Sequence, residues 1–236
     1  MKIFNSDINN SSSIEKLSLT LREKGVIELT ELFDKSLITQ LTNDVLNIFE
    51  QHKKRKELLM VHTENTPRYM FSVSQSVIHE SSPFIVDFYN HPKLLEFLST
   101  LAKMKVMILP IPVERYVING LSSLNDTHGW HWDDYSYTLI LIAKAPKPGE
   151  GGQIQTVPNS FDGTSKIEEV LQKNTPENYS YADGTMYLMK SDTTLHRVAP
   201  LTVDNSLRIS LAMTFCTDED LVKDIDHRTI YDLYGQ

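Results

Sequence analysis

The sequence predicts an α+β fold that is mainly β: a double-stranded β-helix (jelly roll) core with supporting N-terminal helices. Two observations lead to this prediction. After residue 104, short segments that are apolar, or that alternate apolar with polar residues, follow one another between Gly, Pro, Asn and Asp, which is typical of strands in a two-sheet structure. Before residue 104, apolar residues recur mainly at helical spacing. We therefore expect the early helices to cover one outer face of the strands.

The first and last helical regions of the N-terminal part have recognisable ends. Residues 13–24 form an amphipathic pattern that stops at Gly25, and residues 26–29 then resemble a short strand. The helical pattern over 84–103 is interrupted at Pro92, because proline lacks the N–H that continues a helix. These elements are expected to support the core.

A second helix can be capped by Asp34 or Ser36. Its buried stripe is predicted to consist of Ile38, Leu41, Val45 and Ile48. The basic run 52–56 would then lie at the end of this helix, where cations are favoured, and stay solvated.

Strands are predicted throughout the second half of the chain and in one earlier segment, at 68–79, 106–109, 114–118, 135–143, 153–157, 185–189 and 207–215. A helix and loop over 164–174 interrupts them, and the tail from 218 to 236 is expected to form a closing helix. No linker is evident. We therefore expect one domain over 1–236, with mostly helical support (1–104), the jelly-roll core (105–216) and a closing segment (217–236).

Composition excludes several classes of partner. A net charge of −8 disfavours nucleic acid and anionic membranes, since both are bound through clustered Lys and Arg. No apolar run approaches the ~18 residues of a membrane-spanning helix. The single cysteine, Cys216, cannot form an internal disulfide and is expected to be buried, and the first residues lack a signal-peptide pattern. We expect a cytoplasmic protein, and a homodimer stays open.

Three residues form a candidate metal site. His131 and Asp133 lie two apart at the start of an apolar segment, so an extended backbone points both side chains the same way. His196 precedes the last long strand, from which a neighbouring strand can present it. Two His and one carboxylate on one face of an ion leave three positions open, as non-haem Fe(II) oxygenases require, whereas a structural zinc site wants a fourth protein ligand.

Arg208 and Ser210 follow on one face of the last long strand. A guanidinium with a hydroxyl beside it can hold a carboxylate, such as the distal carboxylate of 2-oxoglutarate, by charge-assisted hydrogen bonds. The set His-x-Asp, then His-Arg-Val-x-Pro-Leu 65 residues later, then Arg-x-Ser is similar to the Fe(II)/2-oxoglutarate-dependent dioxygenases. The cofactors expected from this set are Fe(II), 2-oxoglutarate as cosubstrate, and O2.

The resemblance narrows at residues 128–139, which read His-Gly-Trp-His-Trp-Asp-Asp-Tyr-Ser-Tyr-Thr-Leu. With the preceding Glu-Arg-Tyr segment and the chain length, they resemble the free-amino-acid halogenases and hydroxylases typified by the lysine radical halogenase, and the likeness covers about 68–214. In the halogenating members, glycine replaces the carboxylate ligand and opens a site for chloride. This chain has Asp133 there, so the resemblance implies hydroxylation.

The same resemblance implies a set of substrate contacts. Glu114 and Asp134 match carboxylates that hold the amines of lysine, His128 matches a substrate-binding histidine, Arg68 matches an arginine on the substrate carboxylate, and Thr214 matches a further polar contact. A family asparagine and a C-terminal aromatic residue have no clear match; the residues found there are Leu211, Ala212, Tyr231 and Tyr234.

Each of these residues also has a structural interpretation. Glu114 could pair with Arg115 or a lysine, Arg68 could form a structural ion pair, and Asp134 could cap the turn after Asp133. His128 could orient its loop or support the metal ligands. Trp130 and Trp132 are expected to be core or pocket walls.

We therefore expect a hydroxylase of a free cationic amino acid, with L-lysine attacked at a mid-chain carbon to give hydroxylysine, succinate and CO2. Ornithine, arginine or a peptidyl residue are alternative substrates for the same chemistry. A zinc hydrolase using His128, His131, Asp133 and His196, or a jelly-roll binding module without turnover, are alternatives of another class.

Overall fold

A computed structural model describes residues 1–5, 11–225 and 227–234 of the chain. The helices of this part are α1 (Ser11–Lys24), α2 (Lys35–His52), α3 (Gln75–Ser81), α4 (Pro83–Tyr89), α5 (Pro92–Ala102), α6 (Ile167–Lys173) and α7 (Arg228–Tyr234). Its strands are β1 (Val26–Glu28), β2 (Lys54–Met60), β3 (Thr66–Val73), β4 (Val106–Ile108), β5 (Tyr116–Leu121), β6 (Thr127–His131), β7 (Tyr137–Lys144), β8 (Ile154–Val157), β9 (Glu177–Tyr179), β10 (Met186–Lys190), β11 (Leu195–Val198) and β12 (Arg208–Thr217).

All the strands join one curled antiparallel sheet, in the order β1-β10-β7-β12-β5-β3-β6-β11-β8-β9, while β2 pairs with β3 and β4 with β12. Because the sheet curls, its second half (β6, β11, β8 and β9) faces its first half across a cavity. This is the predicted jelly roll, and the fold class is confirmed.

Two apolar layers hold the sheet. The larger one lies between the helices and the outer face of the first half, where Leu41, Leu139 and Leu211 are fully buried. The smaller one fills the interior between the halves and includes Ile140 and Leu201. Alternation along β7 and β12 therefore sends every second residue to the helices and the others to the cavity.

The second helix is confirmed, with one change in its buried stripe. Asp34 is its N-cap and accepts a 3.0 Å hydrogen bond from the Ser36 amide. Leu37 rather than Ile38 joins the buried stripe, since Leu37 lies one turn before Leu41 on the same helix face. In the part of the chain that the structure describes, no helix combines the length and apolar character needed to cross a membrane.

Several boundaries differ from the prediction. The basic run does not simply end a helix: α2 ends at His52, and residues from Lys54 onward form β2. The β-like segment 68–79 divides into β3 and α3, and the strand predicted from 114 begins at Tyr116. The closing helix is α7; residues 226, 235 and 236 of the predicted tail lie outside the described residues. Cys216 is buried, as expected.

Candidate active site

One cavity between the two halves of the sheet collects the residues that the sequence singled out. All ten line it: Arg68, Glu114, His128, His131, Asp133, Asp134, His196, Arg208, Ser210 and Thr214. They come from strands β3, β6, β11 and β12 and from two connecting segments. Because the sheet curls, even Arg68 and Thr214, which are 146 positions apart in the chain, line the same cavity.

His131, Asp133 and His196 form a compact cluster of metal-ligating groups. His131 ends β6, and the antiparallel pairing of β6 with β11 puts His196 opposite it. The Oδ1 atom of Asp133 lies 3.5 Å from Nε2 of His131 and 3.6 Å from Nε2 of His196. All three ligand atoms fall within 4.8 Å of one another, so that one ion could contact each of them. The His131-x-Asp133 motif lies at the end of strand β6, whereas the sequence suggested that it lies at the start of a strand.

Both imidazoles are oriented by their other ring nitrogen. Nδ1 of His131 lies 2.7 Å from the Gly129 carbonyl oxygen, and Nδ1 of His196 lies 2.8 Å from that of Thr194. Each Nδ1–H therefore donates to the backbone, which leaves Nε2 as the free lone pair. Burial, and then the neighbouring His196, hold the pKa of His131 well below its ordinary value. The neutral form is the one that binds metal ions.

Arg208 is a buried cation surrounded by neutral partners. Its Nη1 donates a 3.0 Å hydrogen bond to Oγ of Ser210, and the Tyr187 hydroxyl also hydrogen-bonds to the guanidinium. Burial lowers the pKa of Arg208, and no described carboxylate forms an ion pair with it. Since a buried charge is costly without a counter-charge, this arrangement suits an anionic ligand.

Arg68 is a second buried cation, at 1% exposure. Its Nη1 donates to the Thr66 hydroxyl at 3.0 Å and to the Pro67 carbonyl at 3.2 Å, while Nε has no hydrogen-bond partner among the described residues. Burial lowers its pKa to about 10. The structural ion pair considered from sequence is not formed with any described carboxylate.

Glu114 and Asp134 supply negative charge to the same cavity. Glu114 lies in the short 3₁₀ turn before β5 rather than in the strand, and its Oε1 accepts a 2.6 Å hydrogen bond from Nδ1 of His227. Arg115 does not pair with it, because the Arg115 Nε donates to the Leu109 carbonyl. Burial raises the pKa of Glu114.

Asp134 has the most strongly raised acid pKa of the cavity, about 7. The main cause is the loss of hydration of the carboxyl group among protein atoms. Repulsion from the carboxylates of Glu114 and Asp133 is the second cause. Asp134 as a whole residue is nevertheless exposed to solvent. A bound cation would relieve the repulsion.

The remaining predicted residues complete the walls. His128 stacks on His131 with ring centroids 4.4 Å apart and planes 15° apart. Thr214 lies four residues after Ser210 on β12, and both side chains face the cavity. Trp132 lines the cavity and donates to Oγ of Ser160, while Trp130 is buried against a small apolar cluster.

Three residues that line this cavity, Asn119, Thr138 and Tyr187, were given no role from the sequence. The same is true of His227, which contacts Glu114. The structure also separates the two candidate tyrosines of the tail. Tyr231 is 57% exposed, whereas Tyr234 is buried, lines the cavity and donates to Oδ1 of Asn119 at 3.0 Å. Alternation along β5 and β7 was a usable signal for Asn119 and Thr138; the tail offered no such signal.

A sequence model of the family described as HalD, Halogenase D, matches residues 9–235. No curated protein sequence gives a match.

Solved structures share the fold at low identity. The non-haem α-ketoglutarate-dependent epimerase SnoN from nogalamycin biosynthesis superposes with a TM-score of 0.67 at 13% identity, over 88% of this chain and 82% of that one. A 2OG-Fe(II) oxygenase family oxidoreductase from Burkholderia pseudomallei gives 0.62 at 14%, over 88% and 92%. EctD from S. alaskensis, solved with 2-oxoglutarate and 5-hydroxyectoine, gives 0.63 at 14%, over 92% and 79%.

The raised pKa of Asp134 predicts a pH-dependent stability for the metal-free protein. In the unfolded chain the Asp134 carboxyl group has a pKa of about 4, whereas in the folded protein its pKa is about 7. The folded state therefore binds more protons between these values, and the free energy of unfolding falls as the pH rises through 7. Asp134→Asn should remove this loss, so its advantage over the wild type should grow from pH 5 to pH 8 in urea unfolding. The exposed Asp218→Asn should track the wild type; parallel curves for Asp134→Asn and wild type would refute the shift.

Proposed function

Because the chain belongs to the Halogenase D family, we propose that it is an Fe(II)- and 2-oxoglutarate-dependent dioxygenase that hydroxylates a free cationic amino acid. L-Lysine attacked at a mid-chain carbon is the first candidate, with hydroxylysine, succinate and CO2 as products. One observation carries the proposal: the His131, Asp133 and His196 cluster shares its cavity with two buried guanidinium groups that form no ion pair with any carboxylate of the described residues. A metal and two carboxylate ligands would satisfy all of these groups at once.

The residues present fit the cofactors. His131 and His196 offer free Nε2 atoms and Asp133 offers Oδ1, which is the donor set of non-haem Fe(II) oxygenases. Arg208, with Ser210 beside it, would hold the distal carboxylate of 2-oxoglutarate. With O2, the bound iron and 2-oxoglutarate would supply the oxidising power that inserts oxygen into an unactivated C–H bond. The protein's own task is to hold the substrate still and to keep its charged ends in place.

Asp133 favours hydroxylation over halogenation. Its Oδ1 faces both histidine Nε2 atoms, as a third ligand would. By the resemblance in sequence, Asp133 corresponds to the position where the halogenating members have glycine and a chloride site. With this carboxylate as the third ligand, chloride has no vacant position.

The charges of the cavity support a zwitterion with a cationic side chain as substrate. Arg68 would receive the carboxylate of the amino acid, with the Nε atom that lacks a partner available to it. Glu114 and Asp134 would hold ammonium groups, and His128 and Thr214 would contribute further polar contacts. A molecule that lacks one of these charges would leave a cavity charge unpaired and bind weakly.

Substrates with related charges remain alternatives, namely ornithine, arginine or a peptidyl residue. The zinc hydrolase is supported less, because the ligand cluster found among the described residues contains three side chains, and His128 stacks on His131 instead of joining it. A binding module without turnover would have the same cavity and the same ligand cluster, and an activity assay separates it from an enzyme. We keep the expectation of one cytoplasmic domain acting on a small molecule.

The substrate is tested by incubating the iron-loaded enzyme with 2-oxoglutarate, O2 and a panel of free amino acids: lysine, ornithine, arginine, glutamine and norleucine. Succinate formation and a product heavier by one oxygen atom are expected with lysine, while glutamine and norleucine, which lack the side-chain cation, should give neither. Lysine presented inside a peptide separates the free from the peptidyl substrate. The absence of product with every cationic amino acid would exclude the proposed substrate class.

Asp133→Gly tests the ligand assignment. The variant should lose most or all hydroxylation, because it removes one of three ligands. The assay is run with chloride present, and chlorinated lysine is sought by mass spectrometry. Asp218→Gly, a change at an exposed site away from the cavity, serves as the control. Full hydroxylase activity in Asp133→Gly would mean that Asp133 is not a ligand.

Arg208→Ala tests the cosubstrate anchor. Loss of a charge-assisted carboxylate contact worth about 1.5–3 kcal/mol should raise the KM for 2-oxoglutarate roughly 10- to 150-fold. Arg197→Ala is the matched control, since Arg197 lies over the Trp130 ring and donates to Gln155, and its variant should leave this KM near the wild-type value. An unchanged KM in Arg208→Ala would place the anchor elsewhere.

A further inference from the structure

The two oxygens of the Asp133 carboxylate have different neighbours. Oδ1 lies 3.5 Å and 3.6 Å from the Nε2 atoms of His131 and His196. The other oxygen, Oδ2, accepts a 2.9 Å hydrogen bond from the hydroxyl of Thr138. The Asp133 side chain is 26% exposed, so its orientation depends on contacts of this kind rather than on close packing all around.

The Thr138 hydroxyl is itself held in a short chain of polar groups. A carboxylate oxygen can only accept, so the single hydroxyl proton of Thr138 goes to Asp133. The Thr138 oxygen also lies 2.9 Å from Oγ of Ser191, whose own single proton is shared between the Thr138 oxygen and the Tyr135 carbonyl oxygen 3.2 Å away. Both Thr138 and Ser191 are buried, which strengthens such hydrogen bonds.

The backbone reinforces the same arrangement. The Asp133 amide donates to the Ser191 carbonyl at 3.1 Å, and the Ser191 amide donates to the Ser136 carbonyl at 3.0 Å. Thr138 lies opposite Met189 on β10 and opposite Thr214 on β12, so the strand pairing fixes its position. The segment that carries Asp133 is therefore tied to a rigid part of the sheet through both its main chain and its side chain.

We propose that Thr138 is a positioning residue for the metal site: its hydroxyl retains Oδ2 of Asp133, so that the carboxylate presents Oδ1 alone to the ion. This inference rests on the proposed function, in which Asp133 is a ligand. A carboxylate that binds through one oxygen leaves three positions for 2-oxoglutarate and O2, whereas one that turns and binds through both oxygens occupies one of them. Thr138 thus acts through Asp133 and does not itself touch the ion.

The test compares Thr138→Val, which keeps the shape and removes the hydroxyl, with Thr138→Ser, which keeps the hydroxyl. Metal-free protein is titrated anaerobically with Co(II), and the visible spectrum of the bound ion is followed. Thr138→Val should weaken Co(II) binding about 10- to 100-fold and alter the spectrum, because loss of a group that orients a ligand has effects of this size. Thr138→Ser should stay within about threefold of the wild type.

Thr42→Val is the matched control, since the Thr42 hydroxyl lies in α2, is buried and has no hydrogen-bond partner in the part of the chain that the structure describes. A double-mutant cycle with Asp133→Ala separates positioning from a general structural role. In the Asp133→Ala background, Thr138→Val should cause no further loss of Co(II) affinity.

Two outcomes would overturn the inference, and they differ from a failure of the proposed function. Wild-type Co(II) affinity and spectrum in Thr138→Val, with weakened binding in Asp133→Ala, would leave the metal site intact and reject the role of Thr138. An additive loss in the cycle would also reject it. Wild-type Co(II) binding in Asp133→Ala and His131→Ala would instead refute the metal site, and with it the proposed function.

Discussion

The register between β6 and β11 puts His131 opposite His196, and the rest of the site depends on this pairing. Strand side chains alternate between faces, so a shift of one residue would turn one histidine out of the cavity. The pairing also places Asp133, two residues beyond His131, against the turn at Ser191, where its main chain is hydrogen-bonded. One register therefore sets the positions of all three candidate ligands.

The cavity between these strands contains charged groups that are not neutralised by partners of opposite charge. Arg68 and Arg208 are buried with hydroxyl and carbonyl partners, while Glu114 and Asp134 repel each other and have raised pKa values. Such charges are costly in a protein interior unless ligands of opposite charge bind. The two cations suit two carboxylates and the two acids suit ammonium groups, which matches a dicarboxylate cosubstrate and a cationic amino acid.

Much of the site could be predicted from sequence because it lies on strands with a period of two. Arg208, Ser210 and Thr214 share a face of β12, and that face proved to be the one lining the cavity. The spacing of His131 and Asp133 was informative although only His131 lies in a strand, because Asp133 lies just after β6 and its carboxylate still turns toward the His131 ring.

Other features depend on tertiary contacts that sequence periodicity does not reveal. Strand β2 reads Lys-Arg-Lys-Glu-Leu-Leu-Met, without alternation, and it becomes a strand through its backbone pairing with β3. Strand β11 has four residues, too few to show a period. The Glu114 to His227 contact joins residues 113 positions apart, and the tail that supplies His227 and Tyr234 carries no motif that identifies its partner.

The most direct measurement is a crystal structure of the enzyme grown without oxygen and containing Fe(II), 2-oxoglutarate and L-lysine. Iron should be bound by His131, Asp133 and His196, with 2-oxoglutarate reaching Arg208. The lysine carboxylate should lie on Arg68 and its ammonium groups on Glu114 and Asp134. Iron bound without Asp133, or lysine bound with its charged ends away from these residues, would contradict the proposed function.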